Sequence, residues 1–312
     1  MATRKPKTKP SCVLRSLPEA DLLAAADVAV EVAPTNAPQL EGLTDAVETL
    51  VGQPAHLAVL TSRYWGAGGV DLGVSFTDSP SKELIDRILS HMNAWGQYAN
   101  VKFRWSLQDG QVRITRGEQG YWSYLGTDVL LIPKGRATMC LQGFTMATAE
   151  SEYKRVVRHE TGHSLGFPHE HLRSALVARL DPAKTLAYFE QYYGWSESQT
   201  RSNVLTPLEE WSLMGSPQQD ETSIMTYFLP GECTKNGQPI PGGSDLSAVD
   251  KAFVAQLYPG AVAPPPPAGI PVTVGKAVPQ GKWFLTRTAL AQRLTLTTAQ
   301  PLPAGKYTLT PG

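Results

Sequence analysis

The chain has 312 residues, with 42% apolar and 18% charged side chains. Those are ordinary values for a globular protein with room for a full core. Lys+Arg and Asp+Glu balance at 28 each, so no global field recruits nucleic acid or an acidic membrane, and no nucleic-acid partner is expected. No apolar run is long enough to span a membrane, and the N-terminus lacks the apolar core of a secretory signal. The three cysteines, Cys12, Cys140 and Cys233, permit at most one disulfide and do not settle the compartment.

Residues 1 to about 54 begin with a basic tail (Arg4, Lys5, Lys7, Lys9) and continue as a stretch rich in Ala, Val, Pro and Asn. Nothing in them is strongly periodic, LLAAADVAVEVA included, and they read as an extension or pro-segment. DLGVSF (71–76) alternates like a strand. Ser79 and Pro80 give an N-cap and first-turn proline to a helix over about 80–98, with Leu84, Ile88, Met92 and Trp95 on one face. VKFRW (101–105) and QVRIT (111–115) are further strands, and VLLI (129–132) and TMCL (138–141) are shorter candidates.

A second helix runs from near Thr148 to Leu165 and stops at Gly166, a residue suited to a left-handed cap. Asp181 and Pro182 start another helix, a Ser196/Gln199 capping box a third, and a closing helix runs from Ser247 to before Pro259. The order of elements gives an α+β domain over 55–260. AVAPPPPAGIP (261–271) reads as a proline-rich linker, and 272–312 as a small β-rich segment containing KWFLT, RLTLTT and KYTLT.

The chemistry concentrates in HETGHSLGFPHEH (159–171), which holds four of the chain's six histidines. His159 and His163 lie one turn apart on one helix face, where two imidazoles can share one zinc ion. Glu160 is placed as general base rather than ligand. Gly166 turns the chain so that His169 can return as third ligand, completing H-E-x-x-H-x-x-G-x-x-H. Three neutral imidazoles leave the fourth position to water, as a catalytic site requires. Zinc lowers the pKa of that water to about 7, and Glu160 takes its proton and later passes it to the leaving amine.

These residues resemble the zinc signature of the metzincin endopeptidases. Phe167 and Glu170 are similar to the astacin-type branch and its bacterial and fungal relatives. SIMTY (223–227) resembles the methionine-turn, which implies Met225 packed beneath the zinc. It also implies that Tyr227 either ligates the ion or swings to stabilise the tetrahedral intermediate. The resemblance extends over about 55–260, through GYWSYLGTD (120–128) and the LSAVDKAF helix. It implies an upper subdomain of twisted sheet with two long helices, an irregular and helical lower subdomain, and a cleft between them. Thr226 stands where that branch commonly has histidine, and SALVARLD after Arg173 lacks its charged continuation.

A zinc-dependent endopeptidase follows as the expected activity. The partner is a protein or peptide bound extended along a sheet edge, for which Ala137–Gln142 is the candidate strand. The alternative is a catalytically silent, zinc-stabilised binding module. Location outside the cell is expected by family analogy only. Glu170 is read either as an anchor for a trimmed N-terminus or as half of a local ion pair, and His171 as a surface or supporting histidine. His56 and His91 stand outside the cluster. Cys12 is either a thiolate that occupies the fourth zinc position from a pro-segment, or a free cysteine in a mobile tail.

Overall fold

The computed structural model describes residues 12–37, 61–207 and 219–260 in full, and the backbone of the strands between 270 and 309. The basic tail, His56 and most of the proline-rich spacer lie outside the described residues. The chain divides into two compact units, Met1–Ala261 and Val262–Gly312.

The first unit is built on a six-stranded mixed sheet, ordered β1 (Cys12–Arg15), β5 (Tyr121–Tyr124), β6 (Met139–Leu141), β4 (Val112–Thr115), β2 (Val70–Phe76), β3 (Val101–Trp105). β3, β2, β4 and β6 run parallel, β5 is antiparallel to β6, and β1 is parallel to β5. Ala137–Gln142 is therefore not the free edge: β6 lies between β5 and β4. β5 is the strand nearest that border, and β1 covers it, with Cys12 opposite Tyr121.

The amphipathic helix α2 spans Lys82–Met92, shorter than the sequence pattern suggests. Its N-cap is Ser81, whose side chain accepts from the Leu84 amide, rather than Ser79. Trp95 falls in a 3₁₀ turn beyond it, yet Ile88, Met92 and Trp95 still share one core with Val74, Ile114, Met139 and Leu141. VLLI forms no strand, since Gly126–Leu130 is a 3₁₀ turn. LLAAADVAVEV is a regular helix, α1 (Leu22–Val32), that buries Ala25, Ala26 and Ala29.

The motif helix is continuous from Glu150 but changes pitch: Glu150–Glu152 is α-helical, Tyr153–Val157 π-helical, and α3 (Arg158–Ser164) α-helical again. Such one-turn π insertions recur at functional sites. The following half is largely irregular, with short turns such as Ser174–Val177, α4 (Pro182–Tyr193) capped by Asp181, a short helix from Glu197 to Leu205 that starts at the expected Ser196/Gln199 capping box, and α5 (Ala248–Leu257) with a Ser247/Asp250 capping box. Leu176, Leu180, Phe189, Val204, Tyr227, Leu229 and Ile240 form a separate small core there, and Cys12 belongs to it. The sheet-and-helix half and the irregular half are the two subdomains of an α+β, metzincin-like fold, and α3 lies where they meet.

The second unit holds two antiparallel pairs: β7 (Ile270–Val274) with β10 (Gly305–Leu309), and β8 (Gly281–Arg287) with β9 (Gln292–Thr298). Among the described residues, no helix is long and apolar enough to cross a membrane.

Candidate metal centre

α3 carries His159 and His163 to the subdomain junction, both buried. The helix ends at Gly166, at φ +97°, where a side chain would strike the Arg63 carbonyl and the Tyr64 ring. Only glycine fits both the left-handed turn and that contact. The turned chain brings back His169, in extended conformation and fully buried. The Glu170 amide then donates to the Met225 carbonyl at 3.0 Å, which ties the third-histidine segment to the methionine-turn.

The three Nε2 atoms converge. His169 Nε2 lies 3.3 Å from His159 Nε2 and 3.1 Å from His163 Nε2. Each of the first two rings is oriented from behind: His159 Nδ1 bonds the Ile224 carbonyl at 2.6 Å, and His163 Nδ1 the Phe167 carbonyl at 2.7 Å. Only an N–H can donate to a carbonyl, so Nδ1 holds the proton and each Nε2 presents a bare lone pair. His169 Nδ1 has no partner among the described residues, so its Nε2 meets the other two lone pairs either as an N–H donor or, across a shared cation, as a third lone pair. A tetrahedral ion with about 2.05 Å bonds sets its nitrogens about 3.3 Å apart, close to the spacing observed. Burial, the largest cause in each case, depresses all three imidazoles: His159 to about 4, His163 and His169 well below the usual range. They are neutral, as ligation requires.

Cys12 completes the cluster. Its thiol lies 3.5 Å from His163 Nε2, and its sulfur and the three ring nitrogens all fall within 4.8 Å of one another. A sulfur and a nitrogen on one tetrahedral zinc would be about 3.6 Å apart. Burial and the neighbouring Glu160 carboxylate push the thiol well up, so a thiolate here requires a divalent cation. The mobile-tail reading of Cys12 is thus replaced: the residue is buried in the cluster and held there by β1. The donor set, three imidazoles and a thiol at these separations, fits zinc.

Glu160 is fully buried, and neither carboxylate oxygen has a hydrogen-bond partner among the described residues. Burial pushes it up to about 8, with the nearby Cys12 thiol first and then the Arg155 cation partly opposing. Tyr227 is also buried, its ring 4.4 Å from that of His169, and its hydroxyl donates to the Cys12 carbonyl. Met225 packs against α3, where a Cβ on Gly162 would come within 2.4 Å of its sulfur.

His171 is neither exposed nor in the metal group. It is fully buried, stacks on Tyr227 at 4.1 Å, accepts the Tyr227 amide at Nδ1 and donates from Nε2 to the Asn203 carbonyl. Glu170 forms the local ion pair, with Arg173 at 2.6 Å. His91 stands apart, 3.3 Å from Glu150.

Two supporting groups escaped the sequence reading. Asp250 of α5 accepts from the Ser223 hydroxyl at 2.6 Å and the Ile224 amide at 2.8 Å, which fixes the turn whose carbonyl orients His159. Its only sequence signal is the capping-box position. Arg155, one turn before His159, lines the cleft beside the cluster.

No protein-family model matches this chain, and no curated protein does. Among solved structures, one of myroilysin is 32% identical and superposes with a TM-score of 0.60, covering 64% of this chain and 97% of its own. A second myroilysin structure, 26% identical, covers 80% of this chain and 99% of its own at a TM-score of 0.48. The hatching-enzyme zinc-protease high choriolytic enzyme 1 from the medaka fish Oryzias latipes is 18% identical, covering 62% of this chain and 92% of its own at 0.42. With the full-length match to myroilysin and the three-histidine cluster on one helix and its turn, the chain belongs to the astacin-like metzincin family of zinc proteases.

Proposed function

We propose that the chain is a zinc-dependent endopeptidase and that Cys12 holds it latent. The observation that carries this is the convergence of three imidazole Nε2 atoms beside a buried glutamate whose carboxylate has no hydrogen-bond partner among the described residues. His159, His163 and His169 hold the ion. Zinc, when bound there, supplies Lewis acidity and an acidified water.

The remaining steps fall to the chain's own groups. A peptide adds to β5 in the place now taken by β1, its backbone amides pairing with the sheet border. Glu160, raised by burial toward neutral pH, takes a proton from the attacking water and hands it to the leaving amine. Tyr227 donates its hydroxyl to the scissile carbonyl as charge develops on the oxygen. Its present acceptor supports this role, because the Cys12 carbonyl is itself a backbone oxygen of the residue seated at the metal cluster.

Latency follows from the same contacts. The thiol takes the fourth position, and β1 takes the strand site. Release of either half alone leaves the other in place, so full activity requires both to go.

The test is cleavage of an unstructured peptide library by the zinc-loaded full chain and by Cys12→Ser, with and without a chelator. Cleavage that is faster in Cys12→Ser, stops with chelator and returns with zinc is the expected result. Absence of cleavage in both proteins, and also after removal of the first 54 residues, makes the silent binding module the better reading.

A further inference from the structure

Away from the metal centre, a buried polar side chain joins the N-terminal segment to the chain that carries the site. Asn36 is 1% exposed and belongs to the 3₁₀ turn Pro34–Asn36 that follows α1. Its Nδ2 donates to the Ala29 carbonyl and to the Tyr64 carbonyl, both at 2.8 Å. Its Oδ1 accepts the Tyr64 amide at 3.0 Å, and its own carbonyl accepts the Ser62 amide at 3.0 Å. One side chain thus pairs with both backbone groups of Tyr64, as a neighbouring strand would, 28 positions along the chain. Beside it, α1 comes in closely. A Cβ on Gly66, at φ +85°, would lie 3.1 Å from the Ala33 methyl.

α1 buries Ala25, Ala26 and Ala29 and packs against the Gly126–Leu130 turn. The N-terminal segment is therefore seated in two places. β1 and Cys12 hold the sheet border, and α1 and Asn36 hold residues 62–66. The stretch between the two seats is looser. Ser16, Pro18, Glu19, Ala20 and Asp21 are exposed. A cavity of about 310 Å³ there is lined by Leu14, Leu17 and Leu22 and by Arg63, Leu125 and Asp128. Closing the end of α1 needs only the bond to Ala29. The paired bonds to Tyr64 do something further, since they tie α1 to the chain that carries the metal centre.

We infer that Asn36 is an autoinhibitory anchor: it holds α1 on Tyr64, and α1 keeps the Cys12 arm within reach of the metal cluster. A thiol that leaves the ion then returns from an effective concentration on the order of millimolar, as over any short linker. The inference rests on the zinc-endopeptidase reading and its latent state. It places control of that state at a contact apart from both the metal group and the substrate border.

The experiment uses the zinc-loaded full chain and its Asn36→Ala variant, and reads two rates. The first is maleimide labelling of Cys12, located by mass spectrometry because Cys140 and Cys233 are also free thiols. The second is cleavage of an unstructured peptide. Both are expected to rise about tenfold with zinc content retained, the ratio given by about 1.4 kcal/mol of lost anchoring. Ala33→Leu, which pushes α1 off Gly66 and leaves Asn36 and Tyr64 in place, should raise both rates too. In the Cys12→Ser chain, adding Asn36→Ala should not slow cleavage. A fall there means that Asn36 supports the catalytic half through Tyr64, whose ring meets the Gly166 turn, and overturns the anchor. Failure of both variants to fold overturns it in the same way. Unchanged labelling, or unchanged cleavage by Asn36→Ala while Cys12→Ser outpaces the parent, overturns the anchor alone. Cleavage no faster in Cys12→Ser than in the parent overturns the latent state and the anchor with it. No cleavage by any of these proteins overturns the peptidase reading as well.

Discussion

Tyr227 donates its hydroxyl to the Cys12 carbonyl, across most of the length of the first compact unit. The same Cys12 presents its thiol to His163 Nε2 at 3.5 Å. One residue of the N-terminal segment thereby engages a metal-cluster histidine through its side chain and the methionine-turn tyrosine through its backbone. Capture at two points explains how a strand of four residues holds the sheet border.

Tyr227→Phe removes one of those points and the proposed oxyanion donor together. Zinc content should stay at one per chain. In the Cys12→Ser background the substitution should lower kcat by about 10²–10³-fold, the usual cost of losing one such donor. Unchanged kcat would assign the hydroxyl to the latent state alone.

Gly162→Ala tests the packing beneath the cluster. The added methyl would meet the Met225 sulfur at 2.4 Å and the Trp95 ring at 3.2 Å. Overpacking of this kind costs about 1–3 kcal/mol, although alanine is the better helix former. A clear fall in Tm is expected in calorimetry. A rise would mean that Met225 moves aside freely and does not brace the helix.

How much of this was legible in the sequence depends on the range of the interactions. The three histidines, Glu160 and the Gly166 turn follow from helical periodicity and one glycine, so they stand in eleven consecutive residues. Strands such as DLGVSF and VKFRW show their burial alternation locally. Cys12 did not, because its environment is created by pairing with Tyr121 and by contact with Tyr227, far along the chain. VLLI failed as a strand because a short apolar run carries no period, and the Gly126 turn that precedes it is packed against Arg63. α1 was missed since its buried face is three alanines, a weak contrast with the residues around them. The place of Ala137–Gln142 inside the sheet reflects strand order, which alternation does not encode.

His171, packed 4.9 Å from the His169 ring but not itself in the metal group, offers a pH test. Burial, the largest cause, depresses it to about 3 from an ordinary 6.5, so the folded protein holds it neutral. The unfolded chain takes up the proton as pH falls through about 6.5, and the folded one does not, so this contribution is present above 6.5 and is lost as pH drops toward 3. His171→Gln removes the titration. With both proteins stripped of metal, the stability advantage of the parent over the variant should shrink by about 2–3 kcal/mol between pH 7.5 and 4.5. An advantage that stays constant across that range would contradict a neutral, buried His171.

The most direct measurement compares Glu160→Gln with Glu160 in the Cys12→Ser chain, both loaded with zinc. Glutamine keeps the shape and reach of the side chain but is no base at neutral pH. The account predicts one zinc per chain in both proteins, closely similar Tm values, and peptide hydrolysis slower by about 10²–10⁴-fold in the variant. A folded, zinc-loaded Glu160→Gln protein that cleaves peptides as fast as its parent would contradict it.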